Sequence, residues 1–129
     1  MKKIFFLFLI LPLIATTCGD HNITINNKTA SRVHYWGRFY SGVADTVSLI
    51  KDPRDFFFQD YMEGHKRAAA NIKPFGDIIK DGFFIVFWVD SITKSKYSNQ
   101  EIVQRRLFSV DIYTAPELIN ADYTINYPR

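Results

Sequence analysis

The chain has one cysteine, Cys18, among its 129 residues. A single cysteine excludes an intramolecular disulfide, so stability has to come from a packed core. The composition permits such a core, because 47% of the residues are hydrophobic and 16% are aromatic, unlike disordered segments. The length fits one domain.

The chain also has little net charge once its first residues are set aside. The formal net charge is +3, and Lys2 and Lys3 supply two of those charges. Residues 18–129 then carry 14 basic against 13 acidic side chains. Short basic pairs such as Arg105-Arg106 are not enough to follow a phosphate backbone. We therefore expect no nucleic acid partner.

No apolar run is long enough to cross a membrane. The longest, Ile4 to Ile14, is about half of the roughly 20 residues that a spanning helix needs. It follows Lys2-Lys3 and precedes the small-residue stretch Ala15-Thr16-Thr17, which is the layout of a secretory signal. The sequence predicts a signal peptide over residues 1–17 and a single domain over residues 18–129.

Cys18 stands where the apolar run ends, and three interpretations fit that position. It is a free thiol at the mature end, or cleavage after Gly19 removes it, or it is acylated. The segment Leu13 to Cys18 resembles a lipobox, in which the cysteine becomes the first, lipid-bearing residue. Thr17 departs from the Gly, Ala or Ser usual before that cysteine. We expect lipidation at Cys18 and anchoring to the cell envelope, at the outer membrane.

Motifs of catalysis and metal binding are lacking. The three histidines show no zinc-ligand spacing; they are His21, His34 and His65. We expect His34 to be a solvated or edge residue, and we expect no metal and no cofactor. No glycine-x-serine-x-glycine elbow or phosphate-binding glycine loop is present.

Paired carboxylates at helical spacing are the remaining catalytic signal, since glycoside hydrolysis requires two. The pairs are Asp52 with Asp55, Asp60 with Glu63, and Asp77 with Asp81. Each pair lies beside a predicted helix end or turn, where acidic residues are common for structural reasons, so a structural role explains the pairs better than catalysis does. We therefore expect a protein that is not an enzyme.

The alternation of apolar and polar residues predicts short strands. Residues 22–27 alternate around Ile23 and Ile25, and Arg32 to Trp36 follow a short polar connection, so the two segments predict a hairpin. Phe83 to Val89 is continuously apolar and predicts a central strand buried on both faces. Further strands are expected at residues 46–50 and 108–112 and around Ile125. The segment 66–74 is expected to be extended.

Three positions carry helix-start signals. Asp52 before Pro53 predicts a short helix through Phe56 to Met62. Ser98 with Glu101, and Thr114 with Glu117, fit capping boxes. Together the elements predict a mainly β fold, a small antiparallel β-sandwich of about seven short strands with two or three short helices, immunoglobulin-like in general architecture.

Several segments resemble short lipoproteins of unknown function from the Bacteroidetes. The segments are Ile25-Asn26-Asn27 running to Tyr35, Asp45 to Leu49, Ile72-Lys73-Pro74, Phe84 to Asp90, and Gln104 to Pro128. The last contains a strand, a capped short helix and a final strand closing on a Tyr-Pro pair, as those proteins do. The resemblance implies the sandwich and the lipid anchor, and it implies no activity.

Two further patterns bear on the surface. Asp45-Thr46-Val47 and Asp90-Ser91-Ile92 match a triplet that resembles the O-glycosylation signal of exported proteins in that phylum, so Thr46 and Ser91 are candidate acceptors, although Asp before Thr or Ser is also turn chemistry. Trp36 and Tyr40 are candidate glycan contacts, against the alternative that they pack in the core.

These observations predict a membrane-anchored envelope lipoprotein that binds or scaffolds an envelope protein or glycan. A carbohydrate-contacting accessory protein is the alternative, and a hydrolase is a distant third. An exposed aromatic row over a groove favours a glycan, whereas a polar surface or one apolar patch favours a protein partner.

Overall fold

The computed structural model describes residues 22–41, 58–70, 72 and 82–129 of the chain. These ranges contain seven strands and three short helices. The strands are β1 (Thr24–Asn27), β2 (Val33–Ser41), β3 (Asp60–Met62), β4 (Arg67–Ala69), β5 (Gly82–Asp90), β6 (Ser109–Thr114) and β7 (Thr124–Tyr127). The helices are α1 (Ser91–Lys96), α2 (Asn99–Gln104) and α3 (Ala115–Asn120).

The strands form two sheets. One has three strands in the order β4-β1-β7, with β1 antiparallel to β4 and parallel to β7. The other has four strands in the order β3-β2-β5-β6 and is antiparallel throughout. The predicted fold class, a mainly β fold arranged as a small antiparallel β-sandwich, is confirmed, with the parallel pair of β1 and β7 as an exception. The resemblance of this sandwich to the immunoglobulin architecture stays a prediction.

The main core lies between the two sheets. The three-stranded sheet contributes Ile23, Ile25 and Ile125, each with no exposed surface. The four-stranded sheet faces them with Phe84, Val86 and Trp88 from β5, and with neighbours from β2 and β6. Each of these large apolar side chains contributes about 1.5–3 kcal/mol through burial. The alternate residues of the strands therefore supply the apolar side chains that hold the two sheets together.

The outer face of the four-stranded sheet carries a second apolar cluster. Ile85, Phe87 and Val89 project to this side of β5 and pack with Ile102 and Val103 of α2. Because α2 covers one face and the three-stranded sheet covers the other, β5 is buried on both faces. The predicted central strand over Phe83 to Val89 is confirmed.

The predicted hairpin between residues 22–27 and Arg32–Trp36 is wrong. Both segments are strands, but β1 pairs with β4 and β7 while β2 pairs with β3 and β5. The connection at residues 28–32 passes from one sheet to the other. Alternation shows which side chains face the core, but it does not choose the partner strand.

The predicted helix through Phe56 to Met62 is wrong over its described part. Phe58 and Gln59 form a turn, and β3 follows at Asp60–Met62. Its three residues pair with Val33 to Tyr35 of β2, and Met62 packs into the core. Tertiary pairing has therefore decided the conformation here, although a cap signal precedes the segment.

Both predicted capping boxes are present. The Ser98 side chain accepts from the backbone N–H of Glu101, and the Glu101 carboxylate accepts from Ser98. Thr114 and Glu117 make the same reciprocal pair at α3. α1 was not predicted, although Asp90 caps it by accepting from Thr93. None of the helices in the described ranges is long and apolar enough to cross a bilayer.

Candidate functional site

Two loops meet at one end of the sandwich, residues 28–32 between β1 and β2 and residues 63–66 between β3 and β4. We call this the double-loop end. The backbone N–H of His65 donates to the Thr29 carbonyl at 2.8 Å, and that of Asn27 donates to the Lys66 carbonyl at 2.9 Å. The loops are thus bonded directly to each other and to β1.

Asn27 holds the double-loop end from within. It is the buried polar residue of the described ranges, with no exposed surface. Its amide nitrogen lies 2.8 Å from the Ser31 carbonyl and 3.1 Å from each of the Met62 and Glu63 carbonyls. Its amide oxygen accepts from the backbone N–H and the hydroxyl of Thr29. One side chain therefore satisfies groups in both loops, and leaving such groups unpaired would be costly.

Gly64 and His65 show how tightly the loops approach. A Cβ atom at Gly64 would stand 2.1 Å from the Ala30 carbonyl oxygen, closer than atoms can pack. His65 next to it adopts a φ of 55°, a left-handed conformation that non-glycine residues rarely take. The backbone here is fixed by its neighbours rather than by local preference.

Arg32 contacts two other exposed side chains at this end, Glu63 and Tyr61. Its guanidinium donates to the Glu63 carboxylate, with the Nε to Oε1 distance at 3.0 Å, and lies 4.1 Å from the centroid of the Tyr61 ring. The hydrogen bond from Arg32 lowers the pKa of Glu63, and the charge of nearby Lys66 lowers it further. Glu63 consequently stays ionised at neutral pH and serves as an anchor for Arg32 rather than as a proton donor.

His34 lies beside this group on the outer face of the four-stranded sheet. Its ring centroid is 5.8 Å from that of Tyr61, and its Nδ1 is buried without a hydrogen-bond partner. Burial lowers the pKa of His34, and the positive charges of Lys94 and Arg32 act in the same direction. His34 lies in a strand that is paired on both sides, so the expectation of an edge residue is wrong. Its side chain is half-buried and therefore only partly solvated.

Ser91 begins α1 and is half-buried. Its hydroxyl donates to the backbone carbonyl of Arg32, so it ties α1 to the double-loop end. The preceding Asp90 accepts from the backbone and hydroxyl of Thr93. The Asp-Ser-Ile triplet thus acts in the folded chain as a helix start, and its role as an acceptor signal stays a prediction.

Trp36 and Tyr40 occupy the same outer face of β2, four residues apart. Both are half-buried. Trp36 packs against Phe87 with ring centroids 5.6 Å apart, and Tyr40 stacks on Phe83 at 5.4 Å. Trp36 and Tyr40 therefore pack partly against the second apolar cluster. Their predicted role as glycan contacts stays a prediction. Tyr61 has more exposed surface, at 48%.

A second polar group lies where β6 meets the end of the chain. The Trp88 indole N–H donates to the Asp111 carboxylate at 2.8 Å. Arg129 donates to the Ile112 carbonyl and to Glu117, and its guanidinium lies 4.5 Å from the Tyr113 ring. Burial raises the pKa of Tyr113 to about 12. These contacts close the sandwich beside β7, so a structural role accounts for them.

The remaining candidate residues lie outside the described residues. Cys18, the predicted lipidation site, and Thr46, the other O-glycosylation candidate, are both there. So are the carboxylate pairs of residues 52 and 55 and of residues 77 and 81. Asp60 and Glu63 are described, but they belong to a strand and the turn after it rather than to a helix.

Reasoning from the sequence missed the double-loop end. Asn27 precedes a short polar connection in the sequence, a position where asparagine is typical of a turn. A signal was nonetheless present, because Asn27 continues the apolar alternation of Ile23 and Ile25 and so occupies a core-facing position. Gly64 gave a second signal as a single glycine in a polar turn.

Among the described ranges, no three histidine, cysteine or carboxylate side chains are grouped as a metal site. The double-loop end, together with Tyr61 of β3 beside it, offers an ion pair, an exposed aromatic ring and loops that are hydrogen-bonded to each other, which are elements of a binding surface. Comparison of the chain with protein-family models, with curated proteins and with solved structures finds no match in any of the three.

Proposed function

We propose that this protein is an exported cell-envelope lipoprotein, attached to the outer membrane through Cys18, that acts as a non-catalytic binding or scaffolding module. The signal-like residues 1–17 and the lipobox-like segment ending at Cys18 support the location. The rigid double-loop end supports the binding role.

The topology supports this proposal because it separates the two ends of the molecule. Thr24 at the start of β1 bonds to Tyr123, and Ile23 bonds to Ile72, while β1 ends at the double-loop end. Asn22 stands five residues before Asn27, a span of at most about 18 Å. Cys18 precedes Asn22 by four residues, a reach of at most about 14 Å. A lipid at Cys18 would therefore join the domain at the start of β1, and the double-loop end follows the other end of that strand.

The anchor is tested by intact-mass measurement of the protein from membranes of its native host, with Cys18→Ala as the control. The expected wild-type mass corresponds to residues 18–129 plus acyl chains, and the variant should lose the acyl mass and leave the membrane fraction. A wild-type mass without acyl chains would overturn the anchor. Separation of inner from outer membranes tests the assignment to the outer membrane.

A carbohydrate-contacting accessory protein is the second candidate, favoured by the position of Trp36 and Tyr40 on one face of β2. Four residues of strand place them about 13 Å apart, and each ring is half-buried rather than enclosed. Tryptophan and tyrosine combine an apolar ring with a polar edge, and the ring face that is not packed on Phe83 or Phe87 would have to receive the sugar. This candidate is tested by retention on immobilised host polysaccharides. The wild type should be retained and Tyr40→Ala should not. Tyr97→Ala, which also removes a half-buried tyrosine ring, is the control and should be retained. A hydrolase, the distant third, requires two groups converging at one bond.

O-glycosylation at Thr46 and Ser91 remains part of the proposal. The Ser91 hydroxyl is bonded to the Arg32 carbonyl, so a sugar on Ser91 requires attachment before folding or opening of α1. Comparing the intact masses of the wild type, Thr46→Ala and Ser91→Ala tests each site. A glycan mass lost in one variant assigns the acceptor, and identical masses after allowing for the substitution would exclude both.

A further inference from the structure

We infer that the double-loop end binds an acidic segment of a protein partner. This inference rests on the proposed binding role and adds the surface and the chemistry of the partner. It does not require the lipid at Cys18, so the two proposals can fail separately.

The charges of the loops favour an anionic partner. Lys28, Arg32 and Lys66 are exposed basic residues in the two loops, against the single carboxylate of Glu63. Arg32 is neutralised by Glu63. Lys28 and Lys66 remain, and within the described part of the chain neither ammonium group takes part in an ion pair. The two loops together carry three basic side chains against one carboxylate, and an excess of positive charge attracts and orients a partner of opposite sign.

Two exposed apolar side chains lie near Arg32. Tyr61 is 48% exposed and Ile92 is 66% exposed. Tyr61 carries the Arg32 guanidinium on its ring, and Ile92 follows Ser91, which is bonded to the Arg32 carbonyl. Of the three large hydrophobic residues that stand exposed in the described ranges, two therefore lie around Arg32, whereas Ile119 lies in α3, toward the opposite end.

The combination favours a protein over a polysaccharide. One face of the Tyr61 ring is covered by the Arg32 guanidinium at 4.1 Å, so that face is closed to a sugar ring. Ile92 is aliphatic and offers no aromatic face. Tyrosine and arginine dominate the binding energy of protein interfaces, and loops already held by Asn27 lose little conformational entropy on binding.

Photocrosslinking in the native host tests this surface with the full-length protein. A benzophenone amino acid replaces Tyr61 in one strain and Ile119 in another. Position 61 should give a discrete protein adduct, and its partner peptide should contain Asp or Glu beside an apolar residue. Position 119 should give at least tenfold less. No adduct at position 61, equal adducts at both positions, or an adduct that is polysaccharide would overturn the inference.

Charge variants in the position 61 strain test the role of the loops. Lys28→Glu with Lys66→Glu should lower the adduct yield at least tenfold, and the neutral pair Lys28→Gln with Lys66→Gln should lower it about threefold. Lys96→Glu with Arg106→Glu makes the same change in net charge outside both loops and should leave the yield unchanged. Unfolding midpoints check that each variant folds. Equal loss in the loop and control variants, or no loss in folded loop variants, would contradict an acidic partner. Loss of the acyl mass with adduct retained would overturn only the anchor.

Discussion

The sandwich interior and the Asn27 side chain at the double-loop end are both buried, but different forces hold them. Between the sheets, Ile25, Ile125 and Trp88 pack through apolar contacts that depend mainly on volume. At the double-loop end, one amide side chain, Asn27, satisfies backbone groups through directional hydrogen bonds. The first kind of contact tolerates residues of similar size and the second does not. The difference suggests that the interior secures the fold and that Asn27 secures the shape of a surface.

The largest effect is expected at Asn27. Asn27→Leu and Asn27→Asp each remove both amide donors, and aspartate also places a carboxylate against three carbonyls. Each should lower the free energy of unfolding by about 3 kcal/mol, since several buried backbone groups lose their partner. Chemical denaturation measures it.

Asn26→Ala is the matched control. Asn26 is half-exposed and donates to Asn126 at 2.9 Å, so its loss should cost about 1 kcal/mol or less. Equal costs at positions 26 and 27 would show that the network at the double-loop end has no special weight.

Two glycines offer the next comparison. A Cβ at Gly64 meets the Ala30 backbone, whereas at Gly37 it meets the rings and methyl groups of Phe84 and Ile72, the nearest at 2.6 Å. Gly64→Ala should cost about 3 kcal/mol because two loops must separate, and Gly37→Ala about 1–2 kcal/mol because side chains can shift. The reverse order in denaturation would mean that the loops yield more readily than the core.

Ile125→Val tests the tolerance of the interior. It removes one methyl group from a fully buried side chain and should cost about 1 kcal/mol, with the loops unchanged. The amide NMR chemical shifts of residues 28–32 and 63–66 should be the same in the variant as in the wild type, within the error of repeated measurements. Large shifts there would show that the core and the double-loop end are not independent.

The smallest effect concerns His34 and pH. Its folded pKa is lowered below the unfolded value of 6.5, chiefly by burial, so the unfolded chain binds the proton more readily. The contribution of neutral His34 is present above pH 6.5 and is lost as the pH falls below that value. Wild type should therefore lose more stability than His34→Gln between pH 7.5 and 5.5, a window above the range in which carboxylates titrate. Parallel curves for the two proteins would remove His34 as the cause.

The sequence predicted local features well. Phe83 to Val89 is the central strand because only a strand covered on both faces can be apolar throughout. The Ser98–Glu101 and Thr114–Glu117 boxes could be predicted because each is closed by residues three apart. Asp90 before α1 is a comparable local signal, because its side chain accepts from the backbone three residues later. The candidate site was not predicted, because its two loops are distant in sequence and are brought together by the pairing of β1 with β4 and of β2 with β3.

The sequence by itself determined the strand alternation, the helix starts and the signal-like segment ahead of Cys18. Each of these features depends only on residues that are close together in the sequence. Only the tertiary structure decided that β1 lies beside β7, a hundred residues away, and that Asn27 is buried between two loops. Hydrophobic patterns specify which side of a strand is buried, whereas the choice of neighbour depends on how all the faces pack at once. Arg32, Tyr61 and Glu63 come together for that reason.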